Sequence, residues 1–337
     1  MADGGGMTAV AMAMLLRDAI RAHGWDRTPA CDPGDAAANL ALLSALHATG
    51  RQDLPLGRLL EGHVDAVQIV QRYGNAAQVA RLRDALAGGA MLGVWNAALP
   101  EGPLTLAGGR LTGGKSYASG AGVLTHALVT AQTAAGMRLL LLDLAAVPPA
   151  IDRDWWRTTG MQRSETHQVR WHAADVPADA LIGELDVYVR EPFFSGGALR
   201  FVAVHAGGVA ALCDRSRDHL IATGRADDPF QAARLAELFL LADAAAGAVR
   251  HAATRWFADD GEARLARVAA ARLTVSDAAE RAILIAQQAV GLSGHFLAHP
   301  LAATLADLPV YLRQPAPDAQ RLRVGRAVRD GLLVPAL

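Results

Sequence analysis

The sequence predicts an α+β fold in which two mainly helical ends enclose a central β domain, and three observations carry that expectation. Hydrophobic residues make up 52% of the 337 residues while aromatics make up only 5%, so the apolar mass is chiefly Ala, Leu and Val, a mixture that favours packed helices. Apolar residues recur at helical spacing up to residue 87, give way at Gly88-Gly89 to short apolar runs, and return to a helical stripe after Gly196-Gly197. Runs of one element type segregate into separate layers or domains. The order α, β, α therefore predicts an N-terminal helical domain at 1–88, a central β domain at 89–195 and a C-terminal helical bundle at 196–337.

The first element is a helix within residues 1–24. No basic residue precedes its apolar run at 10–16, and Arg17, Asp18 and Arg21 follow at once, which makes it a helix and not a signal peptide. Across 36–87 the spacing of Leu40, Leu43 and Leu46, and again of Val64, Val67 and Val70, predicts several short helices with breaks at Gly50, Pro55 and Gly74. In the middle third, runs at 91–95, 127–129 and 139–142 alternate with Gly, Pro and polar clusters, as strands joined by turns do. Beyond Gly197, one stripe holds Leu235, Leu238, Ala242, Val249 and Trp256 and a second holds Val275, Ala279, Ile283 and Val290, with Gly261 and Gly291 marking the ends.

Charge and cysteine usage narrow the partners. Lys and Arg (32) nearly balance Asp and Glu (33), for a net charge of -1, so no broad positive field is offered to nucleic acid or anionic lipid. Cys31 and Cys213 have no CxxC or Cys/His spacing around them, which predicts isolated buried thiols and neither a disulfide framework nor a zinc site. His295 and His299 stand four apart, but without an HExxH frame and with Pro300 next no metal site is expected. The apolar stretch at 139–147 is broken by Asp143 and falls short of the roughly 20 residues a membrane span needs. A cytoplasmic enzyme or binding protein without membrane or nucleic-acid partners is the expectation.

The most specific signal is Gly160-Met161-Gln162-Arg163-Ser164-Glu165-Thr166, followed by the strand-like 169–172 and by Asp175-Val176-Pro177 through Leu181-Ile182-Gly183. In order and spacing it resembles the β-domain signature of the acyl-CoA dehydrogenase family, where a Gly-Met-Arg-x-Ser-x-Thr turn leads into a strand and an Asp-Val-Pro stretch. Upstream, Leu111-Thr112-Gly113-Gly114-Lys115-Ser116-Tyr117-Ala118-Ser119 is similar to that family's Leu-Asn-Gly-x-Lys-x-Trp-Ile-Thr strand. The resemblance puts Tyr117 at the position that stacks on the flavin and Ser119 at the hydroxyl position beside its N5. By the same resemblance, Trp95 and Asn96 fall where the family has a strand that touches the flavin pyrimidine, in place of its Thr and Glu.

Further along, Arg225 and Gln231 fall in a segment similar to the family's Arg and Gln contacts to the FAD pyrophosphate and adenosine. Gln288 and Gly291 resemble its Gln-x-x-Gly-Gly turn, where a glycine lets backbone N–H groups approach an anion closely. Plainer roles stand beside these: Trp95 as core filler, Arg225 as a local ion pair with Asp227 or Asp228, Gln288 and Gly291 as an ordinary helix end. As a whole, the resemblance implies the acyl-CoA dehydrogenase-like fold, FAD as cofactor in a site between the β domain and the helices, and a homodimer or homotetramer.

The departures are as informative. The family places its catalytic Glu after an Arg-Asp pair near the last helices; here Ala306 replaces the Arg, Asp307 is kept, and Pro315 occupies the Glu position. The family's alternative position for that Glu falls at Leu199, before Arg200. No base is therefore assigned, and Asp307 and Tyr311 are the polar residues left at that corner. The resemblance implies an FAD-dependent oxidoreductase acting on the CH–CH group of a small-molecule acyl substrate, a CoA thioester being one form. Two alternatives remain: a flavin-dependent monooxygenase of the same fold, using O2 and a partner reductase, and a non-catalytic binding or scaffold relative.

Overall fold

A computed structural model of the chain describes residues 4–335. Four helices come first: α1 (Gly4–Ala22), α2 (Ala36–Gln52), α3 (Leu54–Tyr73) and α4 (Ala76–Ala87). Eight strands follow: β1 (Leu92–Trp95), β2 (Thr105–Ala107), β3 (Arg110–Ala118), β4 (His126–Thr133), β5 (Gly136–Asp143), β6 (Ala150–Asp152), β7 (His167–Asp175) and β8 (Leu181–Ile182). The chain closes with α5 (Phe193–Gly196), α6 (Ala198–Ala222), α7 (Pro229–Arg255), α8 (Gly261–Val290), α9 (Pro300–Tyr311) and α10 (Pro317–Arg329). The two changes of texture thus fall within a few residues of where the pattern places them.

Local chemistry sets the helix starts. Asp35 accepts the Ala38 N–H at 2.8 Å and Asp228 accepts those of Phe230 and Gln231, each taking up N–H groups that a helix start leaves unpaired. Asn75 and Gln78 form a reciprocal capping box at α4. Gln78 also donates its side-chain amide to the Asp179 and Leu181 carbonyls, at 2.9 and 2.7 Å, tying the helix start to the segment that enters β8.

The sheet runs β6-β7-β3-β2-β4-β5-β8, with β1 paired in parallel to β4. Residues 127–131 of β4 are buried without alternation, as expected of a strand covered on both faces. Val67 and Val70 of α3 and Leu82 and Leu86 of α4 pack with Leu92, Leu128, Leu139 and Ile182 in one core cluster. Burial of each such side chain contributes about 1.5–3 kcal/mol.

The expected three domains resolve differently. Unit 1 holds the chain up to Asp32, Arg58–Arg157 and Gln162–Arg190; unit 2 holds Pro33–Gly57, Thr158–Met161 and the chain from Glu191 onward. The N-terminal helices form no unit of their own: most of α3 and α4 lie on the sheet in unit 1, whereas α2 packs in unit 2 with α6 and α7. Spacing reveals that a helix has an apolar face but not which partner covers it.

Two smaller expectations are also corrected. Gly50 does not break α2; a Cβ there would lie 2.4 Å from the Val204 carbonyl oxygen, so the glycine serves a close approach to α6. Cys31 is exposed, not buried, and Cys213 is half-buried, because the segment between α1 and α2 uses the Cys31 carbonyl, which accepts from Gln68, and leaves the thiol at the surface. The stretch Phe193–Ala222 is long and apolar enough to cross a membrane, yet 67% of its most apolar window is buried inside the protein, as in a core helix.

Candidate functional site

In unit 1, β1, β3 and β4 bring together four of the residues singled out from the sequence. The pairing of β3 with β7 shifts register between Lys115 and Ala118. Such a bulge gives Lys115 and Ser116 consecutive buried positions and turns Tyr117 outward. Tyr117 takes φ 52°, a left-handed conformation that costs a residue with a Cβ about 1–2 kcal/mol. The residue is 58% exposed and its ring meets Trp155 edge-on, with centroids 4.9 Å apart; Trp155 in turn stacks on Trp156 at 5.9 Å.

Trp95 takes the plainer of its two roles. It is 1% exposed, packs at 6.4 Å from Trp171 and donates its indole N–H to the Ser119 carbonyl at 2.9 Å. A ring enclosed in this way has no face left for a cofactor, so the expected flavin contact of its side chain is set aside, and Trp95 instead fixes the backbone of Ser119.

Two short hydrogen-bond relays converge on the neighbouring residues. In the first, Ser164 and Thr166 share a hydrogen bond at 2.8 Å and Thr166 donates to Ser119 Oγ at 2.9 Å. With one hydroxyl hydrogen per residue, this order makes Ser164 the donor to Thr166 and leaves the Ser119 hydrogen without an acceptor among the described residues. In the second, Lys115 Nζ donates to Thr130 Oγ1 at 2.8 Å and to the Asn96 carbonyl at 3.0 Å, and Thr130 donates to Asn96 Oδ1 at 2.8 Å. Burial lowers the Lys115 pKa to about 8, since the low-dielectric surroundings disfavour its cation. Thr130 carries no local signal in the sequence, standing 34 residues from Asn96.

Beside Thr166, Glu165 is buried and accepts from His167 Nε2 at 3.1 Å and Arg153 Nη1 at 3.2 Å. Gly122 makes room for this group, as a Cβ there would stand 2.9 Å from Glu165 Oε2. His167 Nδ1 is buried without a partner.

In unit 2, Arg225 is exposed at the end of the turn before α7 and Gln288 is exposed on the last turn of α8. Gly291 ends α8 with φ 71°, a conformation in which glycine carries no Cβ penalty. Gln231 is 5% exposed and its Oε1 is buried with no hydrogen-bond partner, an orphaned acceptor that costs about 1–3 kcal/mol unless a ligand or water donates to it. Arg225 and Gln288 share no hydrogen bond among the described residues. Asp307 accepts the Met161 N–H, and buried Tyr311 lies edge-on to His205 at 4.4 Å. His299 uses both ring nitrogens, accepting from Leu301 and bonding His219 at 3.0 Å. No group of three or more His, Cys, Asp or Glu side chains is placed to hold a metal ion among the described residues.

No protein-family model and no curated protein matches the sequence. Solved structures do. Butyryl-CoA dehydrogenase from Megasphaera elsdenii is similar with a TM-score of 0.75 at 17% identity, over 96% of this chain and 89% of that one. The dibenzothiophene monooxygenase TdsC from Paenibacillus sp. A11-2 is similar with a TM-score of 0.76 at 17% identity, over 97% of each chain. TdsC in complex with FMN and indole gives 0.75 at 16%, again over 97% of each. At these identities the likeness establishes the fold.

Proposed function

Because the chain has the acyl-CoA dehydrogenase fold, we propose that it is a flavin-dependent oxidoreductase. The observation that carries this reading is the pair of relays in unit 1. Each ends in a donor with no acceptor among the described residues, the Ser119 hydroxyl and the Asn96 amide, and Tyr117 stands two residues from Ser119 with its ring exposed. A planar ring bearing carbonyl and imine acceptors suits that set of groups. Tyr117 would hold the isoalloxazine by its ring, Ser119 would donate at its reactive edge, and Asn96 would donate to its pyrimidine end. A bound flavin supplies the electron acceptor that no side chain of the protein can. The sequence resemblance favours FAD over FMN; in unit 2 taken by itself, the orphaned Gln231 Oε1 is an acceptor open to a donor and Arg225 is an exposed cation.

For the substrate, the lead reading is the CH–CH group of an acyl compound. A second reading, monooxygenation with O2 and a partner reductase, is favoured by two observations: Asp307 already accepts the Met161 N–H, and the chain at Pro315 turns into α10 with its carbonyl accepting from Arg272. No carboxylate is then assigned to remove a proton from carbon, and an oxygenase has no need of one. A homodimer or homotetramer is proposed from the exposed Phe239, Leu240 and Leu284 on α7 and α8, to be checked by light scattering.

The test is an absorption spectrum of the purified protein after addition of FAD or FMN, followed by anaerobic titration with acyl-CoA thioesters. Bleaching by a thioester supports the dehydrogenase. Bound flavin that bleaches only with an external reductant supports the oxygenase, and a protein that binds neither flavin refutes both.

A further inference from the structure

The second relay contains more than a binding contact. Asn96 is half-buried at the end of β1, and a carboxamide there could face either way, offering a donor or an acceptor to its surroundings. Lys115 removes the choice. Its ammonium can only donate, so Thr130 Oγ1, 2.8 Å away, is an acceptor towards it and keeps its own hydrogen for the next partner. That partner, at 2.8 Å, must be an oxygen, because an amide nitrogen there would leave the Thr130 hydrogen unused beside a competing donor. Lys115 also holds the Asn96 carbonyl at 3.0 Å, so main chain and side chain of Asn96 are clamped by one cation and one hydroxyl. Nδ2 is left facing away from the relay and meets no acceptor among the described residues.

We propose that Lys115 and Thr130 are positioning residues that lock the Asn96 carboxamide as an outward donor, so that this end of the site selects a ligand edge carrying a carbonyl acceptor. The assignment rests on the flavin reading above, in which that edge is a carbonyl of the pyrimidine ring. Lys115 is the only lysine among 32 basic residues, and it is 4% exposed. An arginine would meet these two acceptors with a longer, planar fork of N–H groups in place of one compact ammonium.

FAD affinity is to be measured by fluorescence titration for the wild type and for Asn96→Asp, Thr130→Val and Thr130→Ser, with thermal unfolding of each. Asn96→Asp keeps an oxygen for Thr130 but turns the outward donor into an acceptor, and is expected to weaken FAD binding about 10- to 100-fold with an unchanged melting temperature. Thr130→Val frees the amide and is expected to weaken binding about 3- to 10-fold; Thr130→Ser restores the relay and the affinity. Wild type that binds FAD together with an Asn96→Asp variant that binds it equally well overturns the orientation proposal alone, as does a Thr130→Ser variant no better than Thr130→Val. Should Thr130→Val unfold, the Asn96→Asp arm decides. Wild type that binds no flavin refutes the underlying reading, and this proposal falls with it.

Discussion

The Met161 backbone N–H donates to the Asp307 carboxylate, and beside it Gly160 lies so close to Ala306 that a Cβ would stand 1.9 Å from the carbonyl oxygen. All four residues belong to unit 2. Asp307 therefore holds a turn. Asp307→Ala is expected to lower stability by about 1–3 kcal/mol, the cost of an unmet N–H bonded to a charged group, while Asp307→Asn keeps an acceptor and loses less. Urea unfolding measures both. An Asp307→Asn variant of full stability that has lost all turnover would instead make this residue an acid or base.

The glycines offer a paired test in which one substitution has opposite signs. Gly207 of α6 would place a Cβ 2.1 Å from the His47 carbonyl oxygen, whereas Gly247 of α7 has nothing within 4 Å of its own. Gly207→Ala forces α2 and α6 apart and is expected to destabilise by about 1–3 kcal/mol or more. Gly247→Ala, in open helix, is expected to stabilise by about 0.5–1 kcal/mol through helix propensity and a less disordered unfolded chain. A Gly207→Ala variant as stable as the wild type in thermal melts would contradict the α2–α6 packing, and a Gly247→Ala variant that lost stability would contradict the open position on α7.

What the sequence disclosed and what it hid divide along the range of the interactions. The helix and strand boundaries were legible because the hydrophobic period changes there, whereas Tyr117 and Ser119 were singled out only by the resemblance carried in one short run of sequence. Thr130 was not, because it sits on a neighbouring strand and reaches Asn96 only through sheet pairing. Gly50 looked like a helix break because glycine has two uses, and only the position of Val204 chooses close approach over termination. The partition of α2 from α3 and α4 was hidden for a related reason: each helix advertises an apolar face, and topology decides what covers it.

Acid sensitivity should trace to His63. It is fully buried, its Nδ1 accepts the Leu92 N–H at 3.1 Å, and burial pushes its pKa down from 6.5 to about 4. Between those values the unfolded chain binds a proton that the folded chain refuses, so stability falls as pH drops from 6.5 towards 4. The slope reaches at most about 1.4 kcal/mol per pH unit. His63→Gln keeps an acceptor for Leu92 but does not titrate. Urea midpoints measured from pH 7 to 4.5 are expected to converge for the two proteins as the pH falls, the wild type losing its advantage; parallel curves would show that His63 is not the group responsible.

Tyr117 joins strain to use, and the two can be separated. Its left-handed backbone at φ 52° is a conformation that glycine adopts freely and alanine does not. Tyr117→Gly and Tyr117→Ala remove the same ring and the same edge contact with Trp155, so any difference in their stabilities reports the backbone alone. The glycine variant is expected to be the more stable by about 1 kcal/mol. Flavin affinity, by contrast, should fall in both variants by a similar factor, because it depends on the lost ring. Tyr117→Phe keeps ring and strain alike and should resemble the wild type in both measurements. If affinity instead tracked stability across the three variants, the ring would be a structural contact with Trp155 and the strained backbone would have no functional counterpart.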